Sequence, residues 1–130
     1  MRTKIWMLAV VTAGLALPVA AHDLSFNECV EGSDFILHAA QSRDAGMSRD
    51  DFINRMHGDI ALIQAYPPEL RWFVQDEDDE VLLVSHAEKV FDAPRTPDTH
   101  QTEFLAQCTA RMAEQGKARE ALRAAEAESR

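Results

Sequence analysis

Apolar residues recur along most of the chain at spacings of three, four and seven, and the chain shows no sustained alternation of apolar and polar positions. Such spacings place side chains on one face of an α-helix, whereas alternation is typical of a half-buried strand. The pattern therefore predicts an all-α domain, a small bundle of four to five helices.

The first helical segment is predicted to start near Leu24 and to end at Gly46, because glycine readily adopts the left-handed conformation that terminates a helix. Gly32 and Ser33 interrupt this segment, and serine is a common helix N-cap. The pattern leaves open whether the segment is one kinked helix or two.

A second helix is predicted to begin after Ser48 and to stop at Tyr66–Pro68, because proline lacks a backbone N–H. A third is predicted from Glu69 to Phe91. Its middle holds the acidic run, whose like charges favour a break there: Asp76, Glu77, Asp78, Asp79 and Glu80.

The last helix is predicted to begin at Pro97, with Thr96 as its N-cap. Its apolar face carries Phe104, Leu105, Cys108 and Met112. Residues 113–130 are rich in Ala, Glu and Arg and offer little to bury, which predicts an exposed, charged helical tail after a domain of residues 22–112.

The first 21 residues have the pattern of a secretory signal peptide. A basic start precedes a thirteen-residue apolar stretch, which is shorter than the roughly 20 residues that span a bilayer. Val19 and Ala21 are the small residues that signal peptidase requires, so cleavage is expected between Ala21 and His22. We expect a periplasmic or secreted protein without a stable membrane anchor.

The chain is acidic, with 22 Asp and Glu against 13 Lys and Arg among 130 residues. Loss of the signal peptide removes two bases, and residues 22–109 alone carry a net charge of −12. Nucleic acids require clustered Lys and Arg, so they are excluded as partners, and anionic membranes are disfavoured for the same reason. A basic protein partner fits this charge.

Cys29 and Cys108 both survive signal cleavage, and an even number of cysteines in a small exported protein predicts a disulfide. The bond would join the first and last helices and stabilise the domain by about 4 kcal/mol. The alternative is a metal pair or a redox dithiol. The chain has no C-x-x-C spacing and no further cysteine to complete a zinc site.

Cleavage after Ala21 would leave a free α-amine and an imidazole on His22, a chelate suited to Cu(II). Copper binding at His22 is therefore the alternative function for this chain, although an N-terminal histidine also follows from cleavage alone. The other four histidines lack the helical spacing that places two metal ligands on one face. No cofactor is otherwise expected.

Two groups of residues are candidates for contacting a partner. The acidic run is either a solvated face or a docking patch for a cationic protein, and its spacing does not match a calcium-binding EF-hand loop. The aromatic residues around the proline turn suit either the core or an interface: Tyr66, Trp72 and Phe73. The sequence contains no recognised catalytic motif, so a non-enzymatic role is expected.

The layout of residues 24–112 resembles small uncharacterised exported proteins of proteobacteria. The resemblance rests on the signal peptide, the early Cys29, the helix end Gln41–Gly46, the proline-rich centre and the segment Phe104–Cys108. The architecture is also similar to small periplasmic helical immunity proteins that neutralise toxins. The acidic surface and the aromatic side chains favour binding of another envelope protein, and the second resemblance implies toxin neutralisation or inhibition as one form of that role.

Overall fold

The fold consists of four α-helices in a computed structural model that describes Gly14 and residues 22–130. These are α1 (Phe26–Asp44), α2 (Arg49–Gln64), α3 (Glu77–Asp92) and α4 (Pro97–Glu128), with a short 3₁₀ turn at Pro68–Leu70. No strand occurs among the described residues, so the all-α prediction is confirmed. Apart from Gly14, the predicted signal peptide lies outside the described residues, and no helix within them is long and apolar enough to cross a membrane.

Helix α1 is one continuous helix, which answers the question that the sequence left open. It begins at a capping box, in which Ser25 accepts a hydrogen bond from the Glu28 N–H and Glu28 accepts one from the Ser25 N–H. Ser33 lies inside the helix and donates to the Val30 carbonyl, so it caps nothing. Gly46, at φ 100°, follows the end of the helix as predicted.

The predicted N-caps of α2 and α4 are confirmed, because Ser48 accepts from the Asp51 N–H and Thr96 from the Thr99 N–H. The predicted start of the third helix at Glu69 is wrong. Residues 71–76 are not helical, and α3 begins at Glu77 with Asp76 as its N-cap. The acidic run therefore opens the helix, where its charges stabilise the positive end of the helix dipole.

The core lies between α1, α3 and α4 and is closed by the disulfide between Cys29 and Cys108. The bond joins the first and last helices as predicted, over a Cα–Cα distance of 5.6 Å, and both cysteines are fully buried. Gly32 of α1 faces the rings of Phe73 and Phe104, so the helices approach closely at this point. The disulfide and this contact together set the distance between α1 and α4.

Helix α4 continues through Gly116 to Glu128, and most of residues 117–130 are exposed. The start of this C-terminal part nevertheless contacts the N-terminal segment of residues 22–25. Gln115 accepts a hydrogen bond from the Leu24 N–H at 2.8 Å, and Arg119 forms an ion pair with Asp23 at 2.9 Å. The folded unit thus extends beyond the boundary at residue 112 that the sequence suggested.

Candidate functional site

An open groove of about 780 Å³ runs along α2, α3 and the segment that connects them. The two helices are antiparallel: Arg49 pairs with Asp92 at one end at 2.8 Å, and Gln64 donates to Glu80 at the other at 3.2 Å. We call this feature the α2–α3 groove. It is lined by His57, Gln64, Arg71, Gln75, Asp76, Glu77, Glu80, Val81, Val84, Ser85 and Glu88.

The groove combines an apolar floor with an acidic rim. Val81 is 60% exposed and Val84 is partly exposed beside it, so apolar surface remains in contact with water. Four of the lining residues are acidic: Asp76, Glu77, Glu80 and Glu88. This arrangement favours a ligand that carries both apolar and cationic groups.

Among the described residues that line the groove, Arg71 is the one arginine or lysine, and it is engaged by the protein itself. Its guanidinium donates to the carbonyls of Tyr66 at 2.8 Å and Gln64 at 2.9 Å, and also approaches the Gln75 carbonyl at 3.3 Å. Arg71 thereby satisfies carbonyls at the C-terminal end of α2, as basic side chains commonly do. The lining therefore holds four carboxylates and one guanidinium, while Arg111 lies 3.9 Å from Asp76 and Arg49 lies 3.9 Å from Glu88 outside it.

The acidic run is divided between solvent and interior. Asp76, Glu77 and Glu80 line the groove, and Asp78 is exposed. Asp79 is fully buried, so the prediction that all five acids form one docking patch is wrong for this residue. The reason is helical geometry, because Asp79 occupies the face of α3 that packs into the core.

Asp79 is a buried carboxylate with a strongly shifted pKa. Its Oδ2 atom accepts a hydrogen bond from the Gln75 N–H at 3.1 Å, and its Oδ1 atom lies 3.3 Å from Arg111 Nη1 in an ion pair that lacks hydrogen-bond geometry. Burial raises the pKa of Asp79 to about 6, against the opposing effects of the Gln75 hydrogen bond and Arg111. Asp79 is therefore mostly charged at neutral pH and mostly protonated in mild acid.

We expect the stability of the wild type relative to an Asp79→Asn variant to rise as pH falls from 7 to 4. The folded state of the wild type binds a proton at a pKa of about 6, whereas the unfolded state does so near 3.8, so folding takes up a proton in this window. With folded and unfolded pKa values of about 6 and 3.8, this proton uptake corresponds to roughly 2 kcal/mol between pH 7 and pH 4. Urea denaturation of both proteins across this pH range measures the difference. A difference in unfolding free energy between the two proteins that stays constant with pH would contradict the raised pKa of Asp79.

His86 and His100 are also buried, and burial lowers the pKa of both imidazoles. His86 Nε2 donates to Gln107 at 2.7 Å, and His100 Nε2 accepts from the Arg95 N–H at 2.9 Å. Protonation of Nε2 would abolish the second hydrogen bond. The two neutral imidazoles contribute fully to the free energy of unfolding above pH 6.5, and this contribution is lost as the pH falls below that value. Because both histidines are present in the wild type and in the Asp79→Asn variant, their effect cancels when the two proteins are compared.

The three candidate aromatic residues occupy different environments. Tyr66 is 56% exposed at the end of α2, where a partner is able to reach it. Trp72 is half-buried against Phe35, with ring centroids 5.5 Å apart. Phe73 is fully buried and packs on Phe104, so its prediction as a partner-binding residue is wrong. Phe73 is among the largest fully buried side chains and fills the centre of the domain together with Phe104.

His22 is held by two carboxylates. Its Nε2 atom lies 2.9 Å from Glu28 Oε1, and its backbone nitrogen donates to Asp76 Oδ2 at 3.2 Å. Glu28 is a contact that sequence reasoning missed, although the Ser25-x-x-Glu28 spacing marks a capping box. Among the described residues, no three His, Cys, Asp or Glu side chains converge to hold a metal ion. Copper binding by the free amine and imidazole of His22 stays a prediction.

Comparisons with known proteins identify no relative of this chain. No family model matches the chain, and no curated protein and no solved structure is significantly similar to it. The function is therefore inferred from the chain's own geometry.

Proposed function

We propose that this chain is an exported, non-enzymatic protein that binds another envelope protein through the α2–α3 groove. The observation that carries the proposal is the exposed Val81 inside a rim of four carboxylates. Apolar surface exposed within a charged rim is typical of a protein-binding site. Toxin neutralisation or inhibition is one form that this binding would take.

The occupant that fits best is an amphipathic helix of the partner with Lys or Arg along its edges. A helix in a groove places apolar residues on the floor and its flanking side chains at the rim. The apolar part of the lining consists of two valines, and the acidic residues lie on α3 and at its N-cap, so small apolar residues and basic flanks are complementary to it. Helix α2, which borders the groove, has 16 residues, which corresponds to about 24 Å of partner helix.

The net charge of residues 22–109 supports the same kind of partner. Residues 22–109 carry −12, and a field of this sign accelerates the approach of a basic protein before any contact forms. Once bound, the groove supplies the short-range contacts. Association is therefore expected to be fast at low salt and to slow as ionic strength rises, because the Debye length falls from about 30 Å at 0.01 M to about 8 Å at 0.15 M.

Neutralising two rim acids by Glu77→Gln and Glu80→Gln is expected to weaken binding of a basic amphipathic peptide about two- to thirtyfold at 0.15 M salt. Each lost exposed ion pair contributes about 0.2–1 kcal/mol, and glutamine preserves side-chain size. The probe is a helical peptide of lysine and leucine of about 16 residues, which matches the groove in length. Isothermal titration calorimetry of residues 22–130 gives the affinities.

The matched control is Glu120→Gln with Glu126→Gln, which removes the same charge from the exposed part of α4. It should leave the peptide affinity within about twofold of the wild type at 0.15 M salt, where the long-range field is screened. Equal losses of peptide affinity in both double variants would show that the peptide responds to net charge alone. That result would overturn the groove as the binding site. Circular dichroism verifies that both variants are folded.

A further inference from the structure

The N-terminal segment of residues 22–25 is fixed against α4 by two hydrogen bonds between its backbone and the side-chain amide of Gln115. The Leu24 N–H donates to Gln115 Oε1 at 2.8 Å, and Gln115 Nε2 donates to the His22 carbonyl at 3.2 Å. Leu24 itself is buried in the core. The backbone nitrogen of His22 is therefore held at a fixed position relative to α4.

That nitrogen lies in a cluster of carboxylates with too few cations. It is 3.2 Å from Asp76 Oδ2. Arg111 is shared among three carboxylates, with separations of 3.9 Å to Asp76, 3.8 Å to Asp78 and 3.3 Å to Asp79. One guanidinium thus faces three acids, and an additional positive charge at His22 would be favourable.

We propose that the α-ammonium group created at His22 by signal-peptide cleavage forms an ion pair with Asp76 and supplies this second cation. Hydrolysis of the Ala21–His22 peptide bond consumes one water, leaves a carboxylate on Ala21 and releases an amine on His22. An α-amine has a pKa of about 7.7–8.0 in model peptides, so it takes up a proton at neutral pH. The neutral N–H of the precursor becomes a charged donor at the same position.

The consequence is that the processed chain is more stable than its precursor. The disulfide between Cys29 and Cys108 belongs to an oxidising compartment, and the ammonium at His22 exists only after cleavage. Both tie the N-terminal part of the chain to later helices, the disulfide to α4 and the ammonium to the start of α3. Full stability is thereby reached only after the chain has crossed the membrane and has been processed.

A double-mutant cycle tests the ion pair. The chain of residues 22–130 is compared with the same chain acetylated at its α-amine, each with Asp76 or with Asp76→Asn. Asparagine retains the helix N-cap but removes the charge. We expect acetylation to lower the folding equilibrium constant of the Asp76 chain about two- to fivefold, the range of partly exposed ion pairs, and to have a clearly smaller effect on the Asp76→Asn chain. Urea denaturation at pH 7 and low salt provides the constants.

The control is Asp98→Asn, which removes an acid from the first turn of α4, about 25 Å along the helix from Gln115. Acetylation should act on this variant as it does on the wild type. An equal effect of acetylation on the Asp76 and Asp76→Asn chains, or no effect on either, would overturn the ion pair. Mass spectrometry of the exported protein should show His22 as its first residue, and any other N-terminus would overturn the link to processing.

Discussion

Replacement of Cys29 and Cys108 by serine is expected to lower the free energy of unfolding by about 4 kcal/mol. The disulfide closes a loop with a sequence separation of 79, and the loss of loop-closure constraint in the unfolded chain accounts for an effect of this size. Small domains have only about 5–15 kcal/mol of stability, so the variant should unfold at much lower temperature. Its far-ultraviolet circular dichroism at low temperature should remain helical, because the core contacts around Phe104 do not depend on the bond.

Urea denaturation with and without a thiol reductant measures this effect. Reductant should destabilise the wild type to a similar extent and leave the double serine variant unaffected, since that variant has no thiol to react. A wild type whose stability is the same in both conditions would contradict the disulfide's structural role. Alkylation followed by intact-mass analysis should label no cysteine in the oxidised protein, consistent with the absence of free thiols in the described chain.

Gly32→Ala is expected to destabilise the domain by about 1–3 kcal/mol. A Cβ atom at this position would lie 2.6 and 2.7 Å from two ring atoms of Phe104 and 3.0 Å from Phe73. Both rings are fully buried, so they have no free space into which to move. The clash outweighs the gain of about 1 kcal/mol that alanine provides over glycine inside a helix.

Gly58→Ala is the matched control, because Gly58 lies in α2 and the added methyl group would meet no described atom within 4 Å beyond the adjoining residues and backbone of its own helix. This substitution has the helix-propensity gain without the clash and should raise stability by about 0.5–1 kcal/mol. The pair of variants therefore separates packing from propensity. An increase in stability for Gly32→Ala similar to that for Gly58→Ala would contradict the close approach of α1 and α4.

Local signals in the sequence predicted most helix boundaries, because a cap acts through residues only three positions apart. Ser48 and Thr96 are N-caps in the structure, and Gly46 follows the end of α1. The start of α3 could not be predicted in this way. Leu70, Phe73 and Val74 continue the helical spacing of the residues after them, yet Asp76 caps the helix and the segment before it is held in place by Arg71 and Gln75.

The sequence contains a signal for the burial of Asp79, but the five consecutive acidic residues obscured it. Asp79 shares one face of α3 with Leu83, His86 and Val90, at spacings of four, three and four, and all four are buried. A strict helical register would have separated Asp79 from its acidic neighbours. The α2–α3 groove had no such signal, because it results from the packing of two helices that a linear pattern does not place side by side.

The groove is tested most directly by the backbone amide signals of ¹⁵N-labelled protein, residues 22–130, during titration with the basic lysine–leucine peptide. The largest chemical-shift changes are expected at groove residues such as Glu77, Glu80, Val81 and Ser85, and a peptide with glutamate in place of lysine is expected to cause none. Shift changes spread evenly over the acidic surface, or concentrated on residues 117–130 of the C-terminal part of α4, would contradict the α2–α3 groove as the binding site.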